Sequence, residues 1–224
     1  MAAWSDPVLG VYCERLDPSF WAEPANAVTN VAFIMAAAIA ARRHRGDRAA
    51  LVLAAVVAVI GVGSFLFHTF ATRWALLADV APIQLFIAVY FCLVLRRIVG
   101  IGALGAVVGT VAFIAAAAAL PALAPAGALG GSPGYAGALL ALIGMGVGLT
   151  LAQEARRRSA GKGLLAAAAL FATSLTFRTL DGAACAYSPV GAHPLWHVLN
   201  ACVLFTLIET FGRARPSKIP ANDH

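Results

Sequence analysis

Charge is scarce in this chain. Asp, Glu, Lys and Arg make up 12% of the 224 residues against 61% hydrophobic residues, and mean hydropathy is +0.85. A water-soluble domain carries about 25% charged residues, so an ordinary soluble globular fold is excluded. The cations that give a net +6 are neither interleaved with aromatics nor spread along an amphipathic face, which argues against nucleic acid as a partner. They sit in short clusters between apolar runs, as topology signals do. No signal peptide is visible: the first apolar run starts near Ala27, with Arg15 the one basic residue ahead of it.

What is present is a series of apolar runs long enough to span a bilayer as helices, which takes roughly 17 to 25 residues. They cover residues 27–41, 49–70, 75–95, 101–120, 135–151, 163–179 and 194–211. The first is short unless its helix begins near Pro24. The spacer PALAPAGALGGSPG between the fourth and fifth breaks the helix without any charge. The expected fold is all-α: a polytopic membrane protein with seven transmembrane helices in one domain, 1–224. Arg42, Arg43, Arg45 and Arg48, then Arg96 and Arg97, then Arg156, Arg157, Arg158 and Lys162, then Arg213, Arg215 and Lys218 all fall on alternate connections. The positive-inside rule puts that side in the cytoplasm. The segment 1–25 is then outside, and 213–224 is a cytoplasmic tail.

On that topology five polar residues reach one level near the non-cytoplasmic face. His68 lies at the outer end of helix two with Ser64 one turn deeper, Asp79 enters on helix three, and His193 and His197 open helix seven. Ser64 and His68 are spaced i, i+4, as are His193 and His197, so each pair shares a helix face. Three imidazoles plus a carboxylate at one depth is the inventory of a catalytic zinc site. An isolated histidine at a helix end is more often interfacial, but a paired H-x-x-x-H in a membrane helix is expensive and marks function. Haem is the chief competing metal group, and two histidines one turn apart on one helix suit a single compact ion better. A serine nucleophile lacks a spare histidine as its base, since His44 is in a loop and His224 at the terminus. The cytoplasmic halves are almost bare of polar residues, unlike the path of a transporter.

Other features read as scaffolding. Gly105 with Gly109, and Gly144 with Gly148, form close-packing faces rather than phosphate loops. Gly61 and Gly63 let a partner backbone approach the site. Arg178 and Asp181 are expected to form an ion pair bracing the rim. Trp4, Trp21 and Trp196 suit the outer interface, and Cys92 and Cys202 are packing residues in apolar helices.

The segments YCE, AEPANAVTN, GVGSFLFH with Asp79 eleven residues beyond the histidine, and HPLWH resemble the alkaline ceramidase family, within the CREST superfamily of seven-helix membrane hydrolases. The resemblance covers nearly the whole chain. It implies hydrolysis of an amide bond in a ceramide-like membrane lipid, with His68, His193 and His197 as zinc ligands, Asp79 as proton shuttle and Ser64 near the developing oxyanion. Hydrolysis of another lipid amide or ester, or a receptor-like lipid-binding protein, are the alternatives. Animal members also bind calcium, which points to Glu14, Asp17, Glu23 and Asn26 as oxygen ligands. This chain departs from that pattern at Val11, Tyr12 and Leu16, and a solvated acidic turn capping helix one accounts for the same residues. Cys13 and Cys185 both fall in outer segments, where an oxidising exterior permits a disulfide.

Overall fold

A computed structural model describes residues 3–123 and 128–215. The structure is helical, and seven helices are long and apolar enough to cross a membrane. They are α1 (Pro24–Arg43), α2 (Arg48–Phe70), α3 (Arg73–Val99), α4 (Ala103–Leu123), α5 (Ser132–Thr150), α6 (Ala155–Ala184) and α7 (His193–Arg213). The first does begin at Pro24, where a proline at the first helical position lacks only an N–H that no helix would use. The longest departure is α6, expected over 163–179 and observed over 30 residues. At about 1.5 Å per residue it spans about 45 Å, more than the hydrocarbon core of about 30 Å. It is therefore long enough for its polar ends, carrying Arg156 and Asp181, to reach beyond the apolar layer. Residues 216–224, most of the expected tail, lie outside the described residues.

Residues with exposed apolar side chains, among them Ile34, Met35, Val52, Val59, Val62 and Val111, form the outward surface that lipid would cover. The interior centres on α7, where Asn200, Ala201, Val203, Leu204, Leu207, Ile208 and Phe211 are all buried. α1, α2 and α6 surround it, and α3, α4 and α5 complete the bundle.

Glycines set the close approaches, though not all of those expected. A Cβ on Gly63 would collide with the Ala78 carbonyl of α3, and one on Gly61 would meet Phe33 of α1. The Ala78 carbonyl has no intrahelical donor because Pro82, four residues on, has no N–H. The helices therefore pass in close contact beside Ser64 and Asp79. Gly144 and Gly148 have nothing within 4 Å, contrary to the packing face expected of them. The contact to α6 is made instead by Gly146, against Leu165, and by Gly161, against the backbone of α5. Cys202 is likewise exposed rather than packed.

The arginine-rich end is closed by carboxylates. Asp47 caps α2 by accepting from the N–H groups of Ala49 and Ala50. It also pairs with Arg97 and Arg215, and these contacts outweigh burial to hold its carboxyl below the usual range. Glu209 of α7 gathers Arg43, His44 and Arg213, which gives His44 a structural place the sequence did not show.

Candidate metal centre

The site lies at the opposite end, where α2 stops and α7 starts. Ala71 closes α2 in the left-handed region at φ 45°. The N-terminal segment then crosses the α2–α3 turn: Val8 N–H donates to the Ala71 carbonyl (2.6 Å), and Trp74 N–H to that of Trp4 (3.2 Å). α7 has no capping side chain of its own. Asp181 of α6 supplies one, accepting from the N–H groups of Ala192 (2.8 Å) and His193 (2.9 Å) with one oxygen and from Cys13 N–H (3.0 Å) with the other. That satisfies orphan donors and places negative charge at the helix's positive end.

These constraints bring His68, His193 and His197 together, each 1% exposed or less. Ring centroids are 5.2, 4.7 and 4.6 Å apart, and one nitrogen from each ring lies within 4.8 Å of the others. Each ring also carries a buried nitrogen with no partner: His68 Nε2, His193 Nδ1 and His197 Nε2.

The other nitrogens of His68 and His197 explain why. His68 Nδ1 is 2.6 Å from Glu23 Oε2, and an ionised carboxylate can only accept, so Nδ1 carries the proton and Nε2 a lone pair. His197 Nδ1 is 2.9 Å from Thr29 Oγ1. With the hydroxyl's single proton on a backbone carbonyl of its own turn, Ala25 at 2.8 Å or Asn26 at 3.1 Å, Thr29 accepts from His197. Unmet lone pairs in a buried space are costly unless a cation receives them. The donor set therefore fits a zinc-type ion.

Ser64 and Asp79 face the same cavity of about 130 Å³ as His193 and His197, with Tyr12, Arg178 and Asn200 around it. Ser64 is buried and Asp79 half-buried. Tyr12 stacks on His193 at 3.6 Å; burial pushes its phenol above the ordinary range against the opposing pull of Arg178. An apolar chamber lined by Phe86, Tyr90, Phe113, Phe171, Leu204 and Leu207 adjoins this cavity and shares Ile83, Tyr135 and Asn200 with it.

Two expectations need correction. Arg178 and Asp181 are not used as a rim pair: Asp181 caps α7, whereas Arg178 donates to Ser132 Oγ (3.1 Å) and lies over Tyr135 and Trp196. Trp196 is 4% exposed and packs on Phe171 and Tyr135, so it is an interior residue and not an interfacial one. Of the residues expected around calcium, Glu14 and Glu23 both bond Asn26, whose Oδ1 is buried without a partner, while Asp17 is held in its own turn. Glu14 accepts from Ala25 N–H (2.7 Å) and Asn26 N–H (2.8 Å), and Asp17 from Ser19 N–H (2.7 Å). Glu23 accepts from His68, Arg15 and Asn26. Burial opposes its ionisation, but those three contacts prevail and hold its carboxyl below the ordinary range. Among the described residues, the histidines are the one His/Cys/Asp/Glu group placed to hold a metal. Cys13 and Cys185 are joined by a disulfide.

The sequence model of the Ceramidase family matches residues 12–216, from the turn that carries Tyr12 to just past the end of α7. The chain belongs to the ceramidase family. No curated protein matches it significantly. Membership makes it an amide hydrolase acting on ceramide, embedded in a membrane by its seven apolar helices. Four contributors in this ceramidase escaped sequence reasoning as parts of the histidine site: Glu23, Thr29, Tyr12 and Arg15. A signal existed for the first two. Glu23, Asn26, Thr29 and Asn30 fall three or four residues apart, a polar stripe along an otherwise apolar helix.

Proposed function

We propose that this ceramidase is zinc-dependent and cleaves the amide bond of ceramide-like N-acyl sphingoid lipids with water, giving a fatty acid and a sphingoid base. The observation that carries the reading is the set of three buried imidazoles, two of them with the tautomer fixed by Glu23 and Thr29 so that Nε2 is free. When bound there, zinc supplies Lewis acidity and brings the pKa of a water molecule toward about 7.

The chain's own residues do the rest. Asp79 accepts the proton of the attacking water and returns it to the leaving nitrogen, without which an amide cannot depart. Ser64 donates its hydroxyl to the carbonyl oxygen as negative charge develops there. Tyr12 and Trp196 close the cavity with apolar faces that limit water. The adjoining chamber offers a lipid chain an apolar path away from the reacting carbonyl. The basic connections lie at the far end of the bundle from the histidines, which supports an N-terminus outside, a C-terminus in the cytoplasm and a site near the non-cytoplasmic face.

The test is product analysis from zinc-replete protein given an N-acyl sphingoid base or an ester lipid of matched chain length. Equimolar fatty acid and sphingoid base, with the ester cleaved more slowly, is expected. Release from the ester alone would contradict the amidase assignment.

A further inference from the structure

A cluster of oxygens beside the histidines already holds a cation. Arg15 is 5% exposed, and all five N–H groups of its guanidinium are directed at oxygen. Nε–H donates to Glu23 Oε1. One terminal nitrogen donates to the carbonyls of Asp17 and Ser19, both at 3.2 Å. The other donates to those of His68 (2.9 Å) and Thr69 (3.4 Å). One carboxylate oxygen and four carbonyls form the donor set that a hard cation takes, here gathered round a guanidinium.

Two of those carbonyls belong to the last turn of α2, whose backbone acceptors have no helical partner and carry the negative end of the helix dipole. Glu14 holds both of its carboxylate oxygens on the first turn of α1. A second cation bound to Glu23 would share that one carboxylate with a fixed positive charge.

We infer that Arg15 is the resident cation of this cluster, and that the ceramidase neither binds nor requires calcium. Arg15 is a positioning residue. It fixes Glu23, which fixes His68 Nδ1, so that one guanidinium couples the end of α2 to the metal-facing imidazole. Its neighbours brace the same region, since Tyr12 stacks on His193, Cys13 is bonded to Cys185, and Glu14 caps α1. Four consecutive residues thus pin four parts of the site. This inference rests on the metal-centre reading only for its effect on zinc.

The test uses purified full-length protein loaded with zinc. Direct calcium binding and thermal stability are measured in calcium or magnesium up to about 10 mM, above the range of weak extracellular calcium modules. Zinc content is measured on the same samples. The parent should bind no calcium and show the same Tm in both salts. Arg15→Ala should release zinc to a chelator about tenfold or more readily and acquire a calcium-specific rise in Tm, because its oxygens have lost their cation. Stoichiometric calcium binding by the parent would overturn the inference, as would a folded Arg15→Ala protein with parental zinc retention or no response to calcium. If Arg15→Ala does not fold, Arg15→Lys takes its place, with weaker zinc retention expected and parental retention counting against the coupling. A parent that holds no zinc would sink the hydrolase reading while leaving the calcium result decisive.

Discussion

Glu23→Gln changes one atom of the side chain and should disable the metal centre from behind. All three side-chain neighbours of the Glu23 carboxylate are donors: Arg15 Nε–H, Asn26 Nδ2–H and His68 Nδ1–H, the last at 2.6 Å. Glutamine offers one oxygen and one NH2 group, so its NH2 must face one of those donors. If it faces His68, the imidazole must shift its proton to Nε2, which removes the lone pair aimed into the cluster. If it faces Arg15, two donors oppose each other, and either way a buried guanidinium loses its counter-ion. Breaking a buried pair from one side costs about 3–5 kcal/mol of stability. Loss of an outer partner of a ligating histidine lowers metal affinity about 10- to 100-fold, or about 1.4–2.7 kcal/mol. Zinc retention against a graded series of chelator concentrations reads this directly, with helical content as a control for folding. A folded Glu23→Gln protein that retains zinc as the parent does would refute the assignment of Glu23 to His68.

Asp79→Asn should keep zinc and lose about 10²- to 10⁴-fold in turnover, measured as single-turnover release of fatty acid; parental rates would make Asp79 structural. Ser64→Ala should lower kcat by about 10²- to 10³-fold with zinc content unchanged. Replacing Cys13 and Cys185 by serine removes a link across 172 residues, for an expected loss of about 2–5 kcal/mol, and should lower activity by loosening the entry of α7. Unreduced peptide mapping that finds both thiols free would contradict the bond. Asp47 has a folded-state pKa below its unfolded value, so its stabilising contribution is present above about pH 4 and is lost as pH falls through the folded value. Tm curves of parent and Asp47→Asn should therefore lie apart at neutral pH and converge in acid; a constant gap would refute the linkage.

The helical architecture and the histidine cluster were legible because lipid imposes simple rules. Apolar runs must become helices, and a polar side chain inside one needs a reason to be there. His68, His193 and His197 could be placed at one level from spacing and charge alone, and Ser64 and Asp79 followed from the same count. The partners were not legible in that way. Glu23 reaches His68 across 45 positions and Thr29 reaches His197 across 168, and no local pattern specifies such pairs. Trp196 was misjudged because an indole at a helix start satisfies either an interface or an aromatic core, and only the neighbouring Tyr135 and Phe171 decide. Gly144 and Gly148 formed a motif with no partner, because α5 turns Gly146 toward α6 instead. The acidic residues near the N-terminus read as oxygen ligands until Arg15, a lone cation ahead of the first apolar run, proved to be the counter-charge of Glu23.

The central claim is that three imidazoles hold one catalytic zinc ion. Metal analysis of purified parent, His68→Ala, His193→Ala and His197→Ala proteins, paired with ceramide hydrolysis on the same samples, tests it most directly. The account predicts about one zinc per chain in the parent, the stoichiometry of a single three-histidine site, with metal and activity lost together in each variant. Full zinc occupancy in His197→Ala, or undiminished hydrolysis by a variant that holds no zinc, would contradict it.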